Sequence, residues 1–212
     1  MADAAQEQVG DQADIGPLVR KVGHLVRNKL AVIVNSAYYL RLRLGDADGK
    51  LLRHLDLMEQ EVTTASEVIA DLMDFALVKE PARRPLDINQ LITDVLSELQ
   101  LPEAINLVTE LRPGLPIIDA DAMQLARALE KLLVNAIEAM SSPEGGGCLT
   151  VRTGLGDDGQ TLWITIADTG RGLSAEEQTQ LFDPLFTTKP QGFGLGLPIA
   201  RGLIERHGGQ LK

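Results

Sequence analysis

Cysteine is almost missing. Cys148 is the one thiol among 212 residues, so no disulfide can form within the chain, and its place predicts an inert strand residue. Aromatic residues make up only 3% of the sequence, so the core has to be aliphatic. Basic charge is also short: 20 lysines and arginines stand against 30 acidic residues, a formal balance of −10. That argues against a nucleic-acid surface, which needs a clustered basic face. No apolar run approaches the ~20 residues needed to cross a bilayer, and the N-terminus lacks the basic-then-apolar order of a secretory signal. These absences predict a cytoplasmic protein with no membrane segment.

Hydrophobic residues at 44% and charged residues at 24% are ordinary for a globular chain, and the length suits one large domain or two small ones. Residues 1–14 are small, polar and acidic, and predict a flexible tail. From Ile15 the apolar positions (Leu18, Val22, Val26, Leu30, Ile33, Ala37, Leu40) recur every three or four residues, one face of a long helix. A polar turn at Gly45–Gly49 follows. The second run, Leu51, Leu55, Met58, Val62, Ala65, Ile69 and Leu72, alternates steps of four and three, the heptad rhythm of a left-handed supercoil. Two such helices form an antiparallel hairpin over 15–80. One hairpin cannot bury both stripes, so pairing with a second copy into a four-helix bundle is expected.

Pro81-Ala82-Arg83-Arg84-Pro85 breaks the helix and starts a second domain, 81–212. Its pattern is α/β: a helix from Ile88 to Leu99, a strand over Ile105–Leu111, and a helix opened by Asp121 with Gln124 three residues on, a capping-box signature. Strands at Leu149–Thr153 and Leu162–Ala167 read as a hairpin. Pro198–His207 is a final helix, with His207 as a charged last-turn residue and Gly208-Gly209 as the stop.

The richest stretch is 163–197. Period-2 alternation places Ile164, Ile166 and Asp168 on one strand face, so Asp168 is expected as a buried carboxylate at the end of an apolar row. Gly170 and Gly172 follow at once. Further on, Gly192-Phe193-Gly194-Leu195-Gly196-Leu197 is a glycine-rich loop feeding a helix, a ready seat for phosphate. Two glycine loops in this order, each tied to a polar anchor, resemble the ATPase domain shared by histidine kinases, heat-shock-90 chaperones, gyrase and mismatch-repair proteins. Asp168-Thr169-Gly170-Arg171-Gly172 looks like the first glycine box, whose aspartate bonds the adenine amino group. Phe182 to Pro190 looks like the histidine-kinase F box and residues 192–197 like the second glycine box. Glu130 to Ala139 resembles the N box, in which Asn135 matches the amide that holds Mg²⁺ against the phosphates.

Gly23-His24-Leu25-Val26-Arg27-Asn28-Lys29-Leu30 resembles the phosphoacceptor box of the same kinases. His24, Arg27, Asn28 and Leu30 match its pattern. Leu25 replaces the usual acid, and Lys29 replaces the usual proline. Lys131 stands where many members carry asparagine, and either neutralises phosphate directly or weakens the metal. The resemblance implies an α+β fold: a hairpin forming a dimeric four-helix bundle, then an α/β sandwich whose mixed sheet has helices on one face. A further strand is expected beyond Gly209, so the resemblance implies truncation there.

The activity implied is an ATP- and Mg²⁺-dependent histidine kinase core, with the γ-phosphate passing to His24 and then to a response-regulator aspartate. In this family a side-chain amide at the Asn28 position positions water for hydrolysis of that phospho-aspartate. Nucleotide contacts are expected from Asn135, Asp168, Gly170, Gly172, Thr188, Lys189, Gly192, Gly194, Gly196 and Leu197. The partners implied are a second copy, a receiver domain and a separate sensor or input protein. Leu25 and Lys131 favour the alternative, a phosphotransfer or phosphatase module with a weak nucleotide domain.

Overall fold

The structure, a computed structural model, describes residues 4–44, 49–76, 80–141, 146–189 and 193–212. The chain divides into two compact units, Met1–Lys79 and Glu80–Lys212. The first holds α1 (Ala4–Leu44) and α2 (Gly49–Ala76). The turn expected at 45–48 lies outside the described residues. The helix starts at Ala4 rather than Ile15, so residues 4–14 continue α1 instead of forming a tail. Ala4, Ala5, Gln6, Glu7 and Gln8 are strong helix formers, and extending a helix already nucleated downstream adds one hydrogen bond per residue fixed.

Two contacts make the pair antiparallel. Near the turn, the Arg41 guanidinium donates to Asp56 and, at 2.9 Å, to Glu59. At the other end Gly23 meets Met73, and a Cβ on Gly23 would lie 2.2 Å from the Met73 sulfur. A mid-helix glycine costs about 1 kcal/mol against alanine, and here it is what lets the helices approach. The heptad seam is divided. Leu55 and Val62 are buried inside the hairpin, whereas Leu51, Met58 and Leu72 remain 41%, 52% and 50% exposed.

The second unit begins with β1 (Arg84–Leu86), α3 (Ile88–Glu98), β2 (Ile105–Leu111) and β3 (Ile118–Ala120). Next come α4 (Ala122–Ala139), β4 (Gly147–Leu155) and β5 (Leu162–Asp168), then α5 (Ala175–Gln180) and α6 (Gly196–Arg206). The main sheet is mixed, in the order β2-β4-β5. β2 runs parallel to β4, with Leu107 opposite Leu149, and β5 antiparallel to β4, with Ile166 opposite Val151. β1 and β3 form a separate antiparallel pair. Ile88 and Ile92 of α3 and Leu129, Leu133 and Ala136 of α4 close over Leu149 and Val151 of β4. The other side of α4 offers Ala128 and Leu132 to Leu195, Ile199 and Leu203. α4 is thus gripped by sheet and α6 together, and its remaining face belongs to the candidate site. The chain is an α+β protein, a helical hairpin followed by a mixed sheet with helices packed against one face.

Asp121 ties this unit together. Its carboxylate accepts from the N–H groups of Met123 (3.0 Å), Gln124 (3.1 Å) and, from the segment before β1, Ala82 (2.9 Å). Burial acts to raise this carboxyl, but the three backbone donors outweigh it and hold the group below the usual carboxylate range. The Asp121 N–H in turn donates to Nε2 of His207 at 3.0 Å, and Nδ1 of that ring lies 2.8 Å from the Leu203 carbonyl. With Nε2 accepting, Nδ1 carries the proton. His207 is therefore a clip between α6 and the start of α4, not merely a last-turn charge. Asp121→Ala is expected to lower stability by about 1–2 kcal/mol, the usual range for losing a helix cap. The urea midpoint should fall while the slope of the transition stays unchanged.

Candidate functional site

β5 delivers Asp168 at its last position. Ile164 and Ile166 lie on the half-buried face as the alternation predicts, but Asp168 itself is exposed. The buried carboxylate expected there is corrected: Asp168 closes the strand, where its side chain turns to the Gly170 N–H and stays exposed. Oδ1 of Asp168 accepts from the Gly170 N–H at 2.9 Å, which closes a tight turn and leaves Oδ2 for a ligand. Gly170 presses on the end of α4. A Cβ there would stand 2.5 Å from the Ala139 carbonyl oxygen, so only glycine fits. The Arg171 N–H donates to that same oxygen at 3.3 Å, and Gly172 adopts φ +67°. Thr169 fixes the other side by accepting from the Cys148 N–H at 3.0 Å.

On α4 next to this turn, Asn135 and Glu138 share a face, three residues apart. Both hold one cation: Nζ of Lys189 donates to Oδ1 of Asn135 at 2.8 Å and pairs with Glu138 at 2.5 Å. Thr188, beside it, accepts from the Arg171 guanidinium at 2.7 Å, and Arg171 also pairs with Glu177 of α5 at 2.8 Å. The F-box loop is thus drawn to the glycine turn by Arg171 and to α4 by Lys189. Neither Thr188 nor Lys189 points into empty space.

Arg171 and the Ser174 N–H hold the Glu177 carboxyl down to about 2. A carboxyl depressed on folding stabilises fully above its unfolded value near 4.5, and that contribution is lost as pH falls towards about 2. Glu177→Gln should therefore melt below the parent at neutral pH. The two melting curves should converge between those two values, as read by circular dichroism across the acid range.

The second glycine loop folds back on the F box. Gly194 has φ +64°, and a Cβ on it would lie 2.4 Å from the Phe186 carbonyl oxygen. Its own carbonyl accepts from the Leu185 N–H at 3.0 Å, and Leu185 is itself left-handed with φ +69°. α6 then starts at Gly196 behind a buried Leu195, with no side-chain cap on its first N–H groups. Lys131 flanks this helix start, its Cδ 3.8 Å from where a Gly196 Cβ would be. Leu197 follows in the first turn of α6. Gly192 lies outside the described residues.

In the other unit His24 and Asn28 are both exposed on α1 at the spacing of one turn, and Leu25 beside them is 60% exposed. Gly23, pinned against Met73, sets the direction in which His24 faces.

Residues 120–212 match the family model of histidine kinase-, DNA gyrase B- and HSP90-like ATPases. The chain is also 31% identical over 200 residues to the sensor histidine kinase ZraS of Klebsiella oxytoca, an alignment covering 93% of this chain and 42% of that protein. The chain carries a histidine-kinase catalytic core. Among solved structures this core superposes on full-length ShkA in complex with AMPPNP with a TM-score of 0.74 at 23% identity, covering 91% of this chain and 41% of that one. It also superposes on the histidine kinase ThkA in complex with the response regulator protein TrrA, with a TM-score of 0.64 at 20% identity over 98% and 60% of the two chains. At those identities the likeness is one of fold. The kinase core spans less than half the length of the curated relatives it matches. No helix among the described residues is long and apolar enough to cross a membrane.

Several residues of this core were not among the site residues taken from the sequence. Arg171 sits between the two glycines of the first glycine box, where spacing assigns it no role. Glu138 shares the face of Asn135 but has no counterpart role in the N-box pattern. The packing role of Gly23 was not read from the sequence either; the cost of a glycine within a helix is the signal that could have marked it.

Proposed function

We propose that this chain is the ATP- and Mg²⁺-dependent core of a two-component histidine kinase. The observation that carries the reading is the convergence on one face of α4: an amide and a carboxylate holding a cation, next to a glycine turn that presents a free carboxylate oxygen. Asp168 would accept from the adenine amino group. Gly170 and Gly172 would allow the nucleotide to approach. The N-terminus of α6, with Gly194, Gly196, Leu197 and the outlying Gly192, would meet the phosphates. Lys131, Thr188 and Lys189 would supply cations and a hydroxyl to the terminal phosphate.

The residues fit a hard divalent ion, because Oδ1 of Asn135 already accepts from an ammonium. Among the described residues there is no group of three His, Cys, Asp or Glu that would cage a metal. Asn135 would hold Mg²⁺ with phosphate oxygens and water completing the shell. The ion supplies charge neutralisation on the phosphates.

In the reaction, an imidazole nitrogen of His24 attacks the γ-phosphorus. The bond from that phosphorus to the β–γ bridging oxygen breaks, and ADP leaves. Leu25 offers no base, so the imidazole proton passes to solvent, and the step should be slow: general-base help is worth about 10²–10⁴ in rate. The phosphoryl group then moves to a receiver-domain aspartate, and Asn28 positions water for its later hydrolysis. The exposed half of the heptad seam, Leu51, Met58 and Leu72, supports pairing of two hairpins in a homodimeric bundle. A separate sensor or input protein and a cytoplasmic location complete this reading.

Leu25 also favours the second reading, a phosphotransfer or phosphatase module with a weak nucleotide domain. Incubation with γ-labelled ATP and Mg²⁺ separates the two. Acid-labile label on the protein supports the kinase, and bound nucleotide without label supports the module.

A further inference from the structure

We propose that Glu138 and Asn135 together form the divalent-cation seat of this site, and that Lys189 is the cation filling it when no metal is bound. The proposal rests on the reading above only for which substrate the metal would accompany. The seat itself is visible in the contacts.

Two oxygens of different chemistry, an amide and a carboxylate on successive turns of α4, converge on one nitrogen. Oxygen donors of this kind are what Mg²⁺ and Mn²⁺ accept. The backbone leading into Lys189 is held at two points. Its own N–H donates to the Thr187 hydroxyl at 3.1 Å, and Thr188 is held by Arg171 at 2.7 Å.

A metal on the same oxygens would bind at ~2.0–2.1 Å, closer than the ammonium, and the two positive charges would repel at short range. Occupancy by lysine and by metal is therefore exclusive. Without Lys189, Glu138 would present a bare carboxylate to an anionic substrate. With it, the seat is neutral before loading. When the metal enters, the displaced ammonium becomes available to the phosphates, so one side chain serves two states of the site.

The test uses the full chain and Mn²⁺ alone, with free Mn²⁺ counted by electron paramagnetic resonance. Lys189→Met should bind Mn²⁺ at least about tenfold tighter than the parent, because the resident competitor is gone. Adding Glu138→Gln to that variant, or Asn135→Ala to it, should return the affinity to the parental level or below. Circular dichroism melts establish that each variant is folded, and the conservative Glu138→Gln keeps the shape of the side chain. Mn²⁺ binding no tighter in Lys189→Met than in the parent overturns the proposal, as does tight binding that survives both further substitutions.

A fluorescent ATP analogue, added with and without Mn²⁺, separates the two levels of inference. Expected Mn²⁺ results with no nucleotide binding would leave the seat standing and remove the kinase reading. Nucleotide binding with no gain in Lys189→Met would do the reverse.

Discussion

His24→Ala should carry no acid-labile phosphate after incubation with γ-labelled ATP and Mg²⁺, a loss of at least ~10³-fold against the parent. His24 is exposed on α1, whereas the nucleotide contacts proposed here all lie in the other unit. Nucleotide affinity should therefore be unchanged in the variant, which separates loss of the acceptor from loss of the fold. His54, exposed on α2, provides the control: His54→Ala should keep its label. Label that persists in His24→Ala would place the acceptor elsewhere and end the phosphotransfer part of the reading.

Asp168→Asn should weaken ATP binding by roughly 10- to 150-fold, the equivalent of about 1.5–3 kcal/mol for a hydrogen bond to a charged group. The choice of asparagine matters. Its amide oxygen can still accept from the Gly170 N–H, so the turn against Ala139 is kept, while its NH₂ opposes the adenine amino group, donor against donor. Calorimetric titration with ATP reads the effect, and an unchanged melting temperature shows that the turn has survived. Equal affinity in parent and variant would mean that Asp168 serves only its own turn.

Much of this was legible along the chain because the signals are local. Ile105–Leu111 appears as a strand over those same residues, and Asp121 caps α4, because alternation and capping depend only on neighbours in sequence. Long helices with three- and four-residue spacing were equally plain. β1, β3 and α5 were not anticipated. The first two are three residues each, too short to show a period, and α5 is a six-residue helix between the first glycine box and the F box, made by the Ser174 and Glu177 capping box. The parallel pairing of β2 with β4 joins residues some forty apart in the chain, so no local pattern could announce it. Asp168 was misplaced because alternation tells which face a residue takes, not how exposed the end of a strand is.

The sequence by itself determined the two kinds of architecture, where one gives way to the other, and the glycine boxes and polar residues from which the candidate site is built. Hydrophobic period, prolines and glycine boxes are properties of neighbouring residues. The tertiary structure alone decided what each charged group touches: Lys189 on Asn135 and Glu138, Arg171 bridging Thr188 and Glu177, His207 clipped to Asp121. The reason is physical. A backbone pattern is set by bonds a few residues long, whereas a side-chain charge pairs with whatever the fold carries to within a few ångströms of it, from any distance along the chain.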